Sequence, residues 1–183
     1  MREGRLPKDR LKMSKFKLDA LLDITLSINA NFPTPELLRK YESILRDELG
    51  IGKILLFKYG EHWEPLLNSG FPGSLGNSIN VERDLLCFRE IQTEVVQKHF
   101  TAVDFIIPVL HNNEPSAYVL IGDIDEEGEG MSPLIKHLNF IQTISGIIVV
   151  AIENQRLFQE SLRLEAVRRA LALAARMLML LIP

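Results

Sequence analysis

The chain has 183 residues, of which 46% are hydrophobic, 25% are charged and 7% are aromatic, a composition typical of one globular domain with a modest extension. The net charge of −3 argues against nucleic-acid binding by the whole surface. The single cysteine, Cys87, excludes an intramolecular disulfide and a cysteine-rich zinc site. These totals also exclude a disordered chain and a two-domain enzyme.

The N-terminal segment is basic and precedes two predicted helices. Residues 1–15 carry an excess of Lys and Arg, for which we expect a solvated arm, with contact to anionic lipid or nucleic acid as the alternative. Apolar residues at helical spacing predict a first helix over 16–29. A second helix is predicted from Thr34 as N-cap, with Pro35 at the first helical position. Gly50 suits the left-handed residue that follows its end.

Two β-hairpins are predicted next. The first covers 54–67, where an apolar run, a turn and a second strand follow one another. The second joins 105–110 to 117–121, whose nearly continuous apolar runs indicate burial on both faces. Pro108 indicates an edge strand or a bulge. Between the hairpins, a loop rich in Gly, Pro and Asn precedes a predicted helix over 81–96.

The chain ends in one long predicted helix. After an acidic, Gly-rich segment over 122–130, no helix breaker except Gly146 separates Pro133 from Pro183. A helix of about fifty residues is about 75 Å long, which one small domain does not cover. Neither the interrupted apolar run over 140–152 nor the apolar C-terminal run is long enough to span a bilayer. We therefore expect no transmembrane segment and a cytoplasmic protein.

Seven-residue spacing in this last helix predicts a coiled coil. Two registers, offset by three residues, provide the a and d positions, and Glu160 interrupts the d register near the domain. Leucine at the a positions specifies a dimer less strongly than a β-branched residue does, so a dimer and a higher oligomer both stay open. The predicted interface consists of Leu157, Leu164, Val167, Leu171, Ala174, Leu178 and Leu181.

The order of these elements resembles that of a GAF domain, the small ligand-binding and dimerising sensor module of signalling proteins. The matching features are two leading helices, the hairpin FKYGEHWEPLLNSGFP, the strand pair FIIPVLHNNEPSAYVLIGD and the long exit helix. The resemblance implies an α+β fold, with an antiparallel central sheet flanked by helices. It also implies three parts: the basic arm over 1–15, a sensor domain over 16–155 and a coiled-coil linker over 156–183.

A GAF-like fold also implies a place for a ligand, between the sheet and the irregular segment over 70–100. Four apolar residues are the candidates for lining such a pocket, and the alternative is that they are ordinary core. They are Phe57, Phe71, Leu85 and Phe88.

The C-terminal run resembles the helical linker that precedes PPM-family serine/threonine phosphatase domains in bacterial stress and sporulation regulators. The matching positions are Leu173, Ala174, Met177, Leu181, Ile182 and Pro183. Apolar residues replace the Glu and Gln of that pattern at Ala170, Ala172 and Leu178. The resemblance implies a regulatory fragment that signals to a downstream phosphatase domain, with a histidine kinase or a cyclase as the alternative output.

No metal site is predicted. The four histidines are scattered without metal-ligand spacing, and surface or helix-capping roles are expected for them. They are His62, His99, His111 and His137. The acidic segment fails as a calcium loop because Leu134 stands where a bidentate glutamate is required.

No catalytic set or cofactor is predicted either. We expect Cys87 to be a buried structural thiol, and GAF-like methionine sulfoxide reductases need more than one cysteine. The signature of cyclic-nucleotide-binding GAF domains and the lysine motif of a P-loop are not found. The expected partners are a second copy in a parallel homodimer, the downstream domain and an unidentified small molecule, with no nucleic acid and no membrane span.

Overall fold

The computed structural model describes residues 6–93, 100, 102–124 and 133–181. The chain divides into two compact units, Met1–Val149 and Val150–Pro183. The helices are α1 (Leu6–Asn29), α2 (Thr34–Ser43), α3 (Gly73–Ser78), α4 (Val81–Asp84) and α5 (Leu138–Leu181). The strands are β1 (Ile51–Tyr59), β2 (Trp63–Ser69), β3 (Phe105–His111) and β4 (Glu114–Ile124). The boundary between the units falls inside α5, ahead of the predicted start of the linker.

The first two helices are present, but both differ from the prediction at their N-termini. Helix α1 begins at Leu6, so it includes much of the segment predicted as an arm. Helix α2 begins at Thr34, and the N-cap is Pro33. The prediction of Thr34 as the N-cap is therefore wrong by one residue. Because proline is tolerated in the first turn of a helix, Pro35 is compatible with either start.

The end of the second helical segment is as predicted. A short π-helical turn, Ile44–Glu48, continues α2. Gly50 has φ 68°, and its N–H donates to the Arg46 carbonyl at 3.1 Å. A left-handed residue that binds a carbonyl of the last turn is a common helix terminator, and glycine adopts that conformation without steric cost.

The four strands form one antiparallel sheet in the order β2-β1-β4-β3. Both predicted hairpins are confirmed. Asn112 and Asn113, with φ 50° and 64°, form the left-handed turn of the second hairpin. Pro108 lies in β3, an edge strand of the described sheet, and the pairing shifts between Val109 and Leu110. Both features expected of Pro108 are thus present.

The sheet is covered on both faces because successive side chains of a strand point to opposite sides. On one face, side chains of β1, β3 and β4 join residues from the segment over 71–103 in one apolar cluster. Helix α5 contacts β3 of the sheet, where the Gln142 side chain donates to the Pro108 carbonyl oxygen at 2.6 Å. The Phe16 ring of α1 lies 6.0 Å from the Phe140 ring of α5.

A buried hydrogen bond joins α2 to the first part of α5. The hydroxyls of Tyr41 and Ser145 are 2.7 Å apart, and both side chains are fully buried. Ser145 also donates to the Ile141 carbonyl at 2.6 Å. Burial raises the pKa of the Tyr41 hydroxyl, which therefore stays protonated. The part of this apolar run that lies in the first unit, 140–149, is thus a core helix segment, as predicted, and its polar side chains are hydrogen-bonded.

The segment between the hairpins differs from the prediction of a helix over 81–96, which is wrong. Helix α4 ends at Asp84. The backbone of Gln92 instead pairs with Ile106 in an isolated antiparallel bridge, with N···O distances of 2.9 and 3.1 Å. This pairing takes backbone groups that a continuous helix would use, and it connects the segment to the sheet. Residues 94–99 lie outside the described part of the chain.

Gly70 and Gly122 lie where one stretch of main chain touches another. A Cβ atom on Gly70, which has φ 79°, would collide with the carbonyl oxygen of Gly52. A Cβ atom on Gly122 would collide with the carbonyl oxygen of Ala102. These approaches hold the ends of the segment over 70–102 against β1 and β4.

The long C-terminal helix is confirmed. A 3-10 turn, Pro133–His137, leads into α5, which has 44 residues. Residues 125–130, the last part of the acidic segment, lie outside the described residues. Gly146 does not interrupt the helix, and a Cβ atom there would lie 3.4 Å from the Val109 Cγ1.

Candidate functional site

The first candidate site is the predicted heptad face of α5, the seven residues named above as the interface. All seven are exposed, and the six larger side chains have 49% to 77% of their surface accessible. Apolar side chains at heptad spacing on one helix face are typical of a surface that packs against another helix. In the described chain this heptad face has no covering element of its own.

Charged residues of the same helix pair with one another along its surface. Arg156 contacts Glu153 at 2.8 Å and Glu160 at 3.1 Å, and Arg169 contacts Glu165. These pairs are three or four residues apart, the spacing at which helix side chains meet. The charges thus stabilise the helix locally and leave the heptad face apolar.

One helical stretch of the described residues, Ile135–Leu181, is long and apolar enough to cross a membrane by length and composition alone. In its most apolar window, 56% of the residues are buried inside the protein. A core helix of a globular protein passes the same test, so this finding is weak evidence for a membrane span.

The second candidate site is the apolar cluster on one face of the sheet, where the predicted pocket residues lie. Phe57, Phe71 and Leu85 are buried members of this cluster, and Phe88 packs against it. The Tyr118 hydroxyl, at the same place, donates to the Phe88 carbonyl at 3.0 Å, and burial raises the pKa of Tyr118 to about 12. The structure thus brings the four predicted residues together at one apolar cluster.

A cavity of about 350 Å³ lies next to this cluster. Of the four predicted residues, it has only Phe57 in its wall. The wall combines apolar and aromatic side chains with amide, imidazole and carboxylate groups. Its other lining residues are His62, Trp63, Pro65, Gly76, Asn77, Ile79, Asn80, Val81 and Glu82.

Hydrogen bonds and ring contacts fix the walls of the cavity. The Trp63 ring lies 5.5 Å from the Tyr118 ring and 5.2 Å from the Tyr59 ring. Asn80 caps α4, since its Oδ1 accepts from the Arg83 backbone N–H at 3.0 Å. The volume and the lining suit a small molecule that has both an apolar body and polar groups.

Sequence reasoning missed most of this wall for a structural reason. The register of the first hairpin shifts between Leu56 and Phe57, which places Pro65 opposite Phe57 and Trp63 opposite Tyr59. Alternation along β2 is a usable signal for Trp63 and Pro65 only once that shift is known.

No group of three or more His, Cys, Asp or Glu side chains within the described residues is arranged to hold a metal ion. Cys87 is exposed, and its Sγ lies 4.0 Å from the Asp84 carbonyl oxygen. The expectation of a buried thiol is therefore wrong, because α4 ends before the helix face that was expected to bury Cys87.

His137 is the histidine that departs from the expected surface or capping role, while His62 and His111 are exposed and His99 lies outside the described residues. Its Nδ1 is buried and has no hydrogen-bond partner among the residues that the structure describes. Burial, with the nearby charges of Lys17 and Lys136, lowers the pKa of His137.

Solved GAF domains share this fold. The GAF domain of a putative sensor histidine kinase from Pseudomonas syringae pv. tomato matches with a TM-score of 0.59 and 12% identity, over 85% of this chain and 97% of that one. The GAF domain of an Acinetobacter phosphoenolpyruvate-protein phosphotransferase matches with a TM-score of 0.57 and 12% identity, over 79% and 97%.

A segment of a methyl-accepting chemotaxis protein, residues 122 to 287, matches with a TM-score of 0.50 and 12% identity, over 74% of this chain and 98% of that segment. No protein-family model and no curated protein matches the sequence. At this level of identity the likeness concerns the fold. The antiparallel sheet, the flanking helices and the long C-terminal helix give this chain a GAF-like α+β fold, as its sequence predicted.

Proposed function

We propose that this chain is the regulatory sensor module of a signalling protein, and that it forms a parallel homodimer through the heptad face of α5. A signal received by the GAF-like domain changes the crossing angle or the register of the two helices, and this change reaches a downstream domain. The chain itself acts as a regulator and carries out no reaction.

The observation that carries this proposal is the exposed heptad face. Leu164, Leu171 and Leu178 repeat every seven residues on a helix where they have no partner within the described chain, and each exposes more than half of its surface. Transferring such side chains from water to a partner helix stabilises association by about 25 cal/mol for each Å² of apolar surface buried. A second copy offers the same face in the same register, which a two-fold axis makes self-complementary.

The structural neighbours support the signalling role. Two of the solved neighbours, a sensor histidine kinase and a methyl-accepting chemotaxis protein, have names that describe signalling proteins. A GAF-like module that acts on an output of this kind is the role we propose for this chain.

For the output, we infer a PPM-type serine/threonine phosphatase, and a histidine kinase or cyclase is the alternative. The inference depends on the linker resemblance, whose positions Leu173, Ala174 and Met177 lie on the exposed part of α5. Fusing the chain to a PPM phosphatase domain and measuring phosphatase activity tests it. Activity that does not respond to variants of the heptad face would contradict this output.

Sedimentation velocity tests the homodimer. The double variant Leu171→Glu/Leu178→Glu places two charges in the heptad face and should abolish association, because a buried unpaired carboxylate is strongly unfavourable. The matched control is Ala172→Glu/Met179→Glu, one residue further along, which has the same spacing and the same added charge on another face. Association that survives the first pair, or a wild-type chain that is monomeric at micromolar concentration, would refute the dimer.

A second candidate function is that of a small-molecule receptor, and the cavity beside the sheet favours it. Native mass spectrometry of freshly purified protein would detect a retained molecule. Gly76→Leu is the matching variant, since a Cβ at Gly76 would lie at ordinary distances of 3.7 Å from Leu55 Cδ1 and 4.0 Å from Pro65 Cβ. The larger side chain should fill the cavity and remove the bound mass, whereas a mass that persists in this variant would place the ligand elsewhere.

A further inference from the structure

The last part of α5 carries a second apolar stripe in addition to the heptad face. Leu173, Met177 and Leu180 follow one another at spacings of four and three residues, and 62%, 68% and 86% of their surfaces are exposed. This second stripe is more exposed than most of the heptad face. One partner helix packed on the heptad face leaves it in water.

The directions of the two stripes around the helix axis indicate what covers the second one. With about 100° per residue, the mean direction of Leu173, Met177 and Leu180 is about 110° from that of the heptad residues between 171 and 181. A helix in a two-stranded coiled coil needs a single apolar direction. A helix in a four-helix arrangement touches two neighbours, in directions separated by about 90°.

The remaining positions of this part of α5 fit the same arrangement. Arg176 is the single charged residue between Ala170 and Leu181, and it points away from the heptad face. Ala172 and Met179 lie on the side of the helix opposite to the direction midway between the two stripes. In a four-helix arrangement that side faces water. Leucine at the a positions, which does not favour two strands over more, agrees with this.

The size of the predicted dimer interface points in the same direction. A stable interface usually involves about 20–30 residues on each side. The heptad face provides seven residues, and the second stripe is continuous with it at Met177 and Leu181. A second pair of helices that uses this stripe enlarges the interface without a new surface elsewhere.

We propose that four copies of this chain associate through the C-terminal part of α5, each using the heptad face toward one neighbour and the second stripe toward another. This proposal rests on the proposed homodimer and adds a second pair of copies to it. The occupant of the second stripe is therefore another copy of the same helix. A lipid surface is less suitable, because an interfacial helix needs a strongly charged polar face, which this segment does not have.

Light scattering coupled to size exclusion, with sedimentation velocity on the full chain, tests the proposal. The wild-type protein should have about four times the chain mass of 20.8 kDa. Leu173→Glu/Met177→Glu should reduce it to a dimer. Leu171→Glu/Leu178→Glu should give a monomer, because the second-stripe contact adds a pair of copies to the homodimer and depends on it. Leu173→Gln/Met177→Gln removes the same apolar contact without adding charge, and it should also give a dimer. The outward pair Ala172→Glu/Met179→Glu should remain tetrameric, with unchanged helicity by circular dichroism in every variant.

Each of the other outcomes overturns the tetramer, the homodimer or both. A wild-type dimer that the second-stripe variants leave unchanged refutes the tetramer and leaves the proposed homodimer intact. A wild-type monomer refutes both. Co-sedimentation with vesicles of phosphatidylcholine and phosphatidylglycerol that the second-stripe variants abolish would assign the stripe to lipid and refute the tetramer.

Discussion

The two parts of α5 have similar apolar content and opposite surroundings. Before residue 150, Ile141, Ile144 and Ile148 are fully buried, and the polar side chains among them form hydrogen bonds within the domain. After residue 150, Leu171 and Leu178 expose more than 60% of their surfaces, and ion pairs join residues of the same helix. The comparison shows that apolar periodicity predicts a surface to be covered, while only the structure shows which part is already covered.

Truncating one apolar side chain in each part should give the largest difference. Ile144→Ala should lower the free energy of unfolding by about 2–5 kcal/mol, because it leaves a cavity in the core. Leu171→Ala should change the unfolding of the monomer by less than about 0.5 kcal/mol, because that side chain is largely in water. Urea unfolding at a protein concentration below association measures both. Equal costs for the two variants would contradict the contrast.

Removing the buried hydroxyl between α2 and α5 should give a smaller effect. Tyr41→Phe should lower the free energy of unfolding by about 1 kcal/mol, the usual net contribution of one hydrogen bond. Tyr59→Phe is the matched control, since Tyr59 is half exposed, and should be close to neutral. A combined Tyr41→Phe/Ser145→Ala variant measures the coupling between the hydroxyls, and additive costs would mean that their 2.7 Å contact contributes nothing of its own.

The smallest expected effect concerns His137, which directly precedes α5. Its pKa is lowered in the folded protein, so the unfolded chain takes up a proton at His137 first as pH falls below about 6.5. The free energy of unfolding should therefore decrease as pH falls below about 6.5 and level off below the folded pKa. Unfolding curves between pH 7.5 and about 5 measure this. His137→Gln should reduce the dependence, and the exposed His111→Gln should leave it as in the wild type.

Local signals account for much of what the sequence predicted correctly. The glycine that ends the second helical segment, the two asparagines of the second hairpin and the 44-residue α5 each depend on neighbours in the chain. The wrong predictions concern features that depend on residues far away in the chain. Helix α4 ends at Asp84 and the Gln92 backbone pairs with Ile106, so the helix predicted over 81–96 stops early, and Cys87 is exposed. No local pattern contains that pairing.

The heptad face and the cavity also differ in whether local sequence signals predict them. The heptad face was predictable because its spacing is a property of one helix, although its partner is not. The cavity was not predictable, because its wall combines Phe57, Trp63 and Glu82 from three elements. Their meeting depends on the shifted register of the first hairpin and on where α4 begins.

The main-chain contacts at Gly70 and Gly122 bear on how a saturation-mutagenesis map of this domain should be interpreted. Every side chain larger than hydrogen would push against a carbonyl oxygen at these positions, so nearly all substitutions should lower the amount of folded protein. Such uniform intolerance is easily mistaken for ligand binding. Positions such as Trp63 and Glu82, where a substitution can abolish response while protein abundance stays normal, are the ones that would report a ligand.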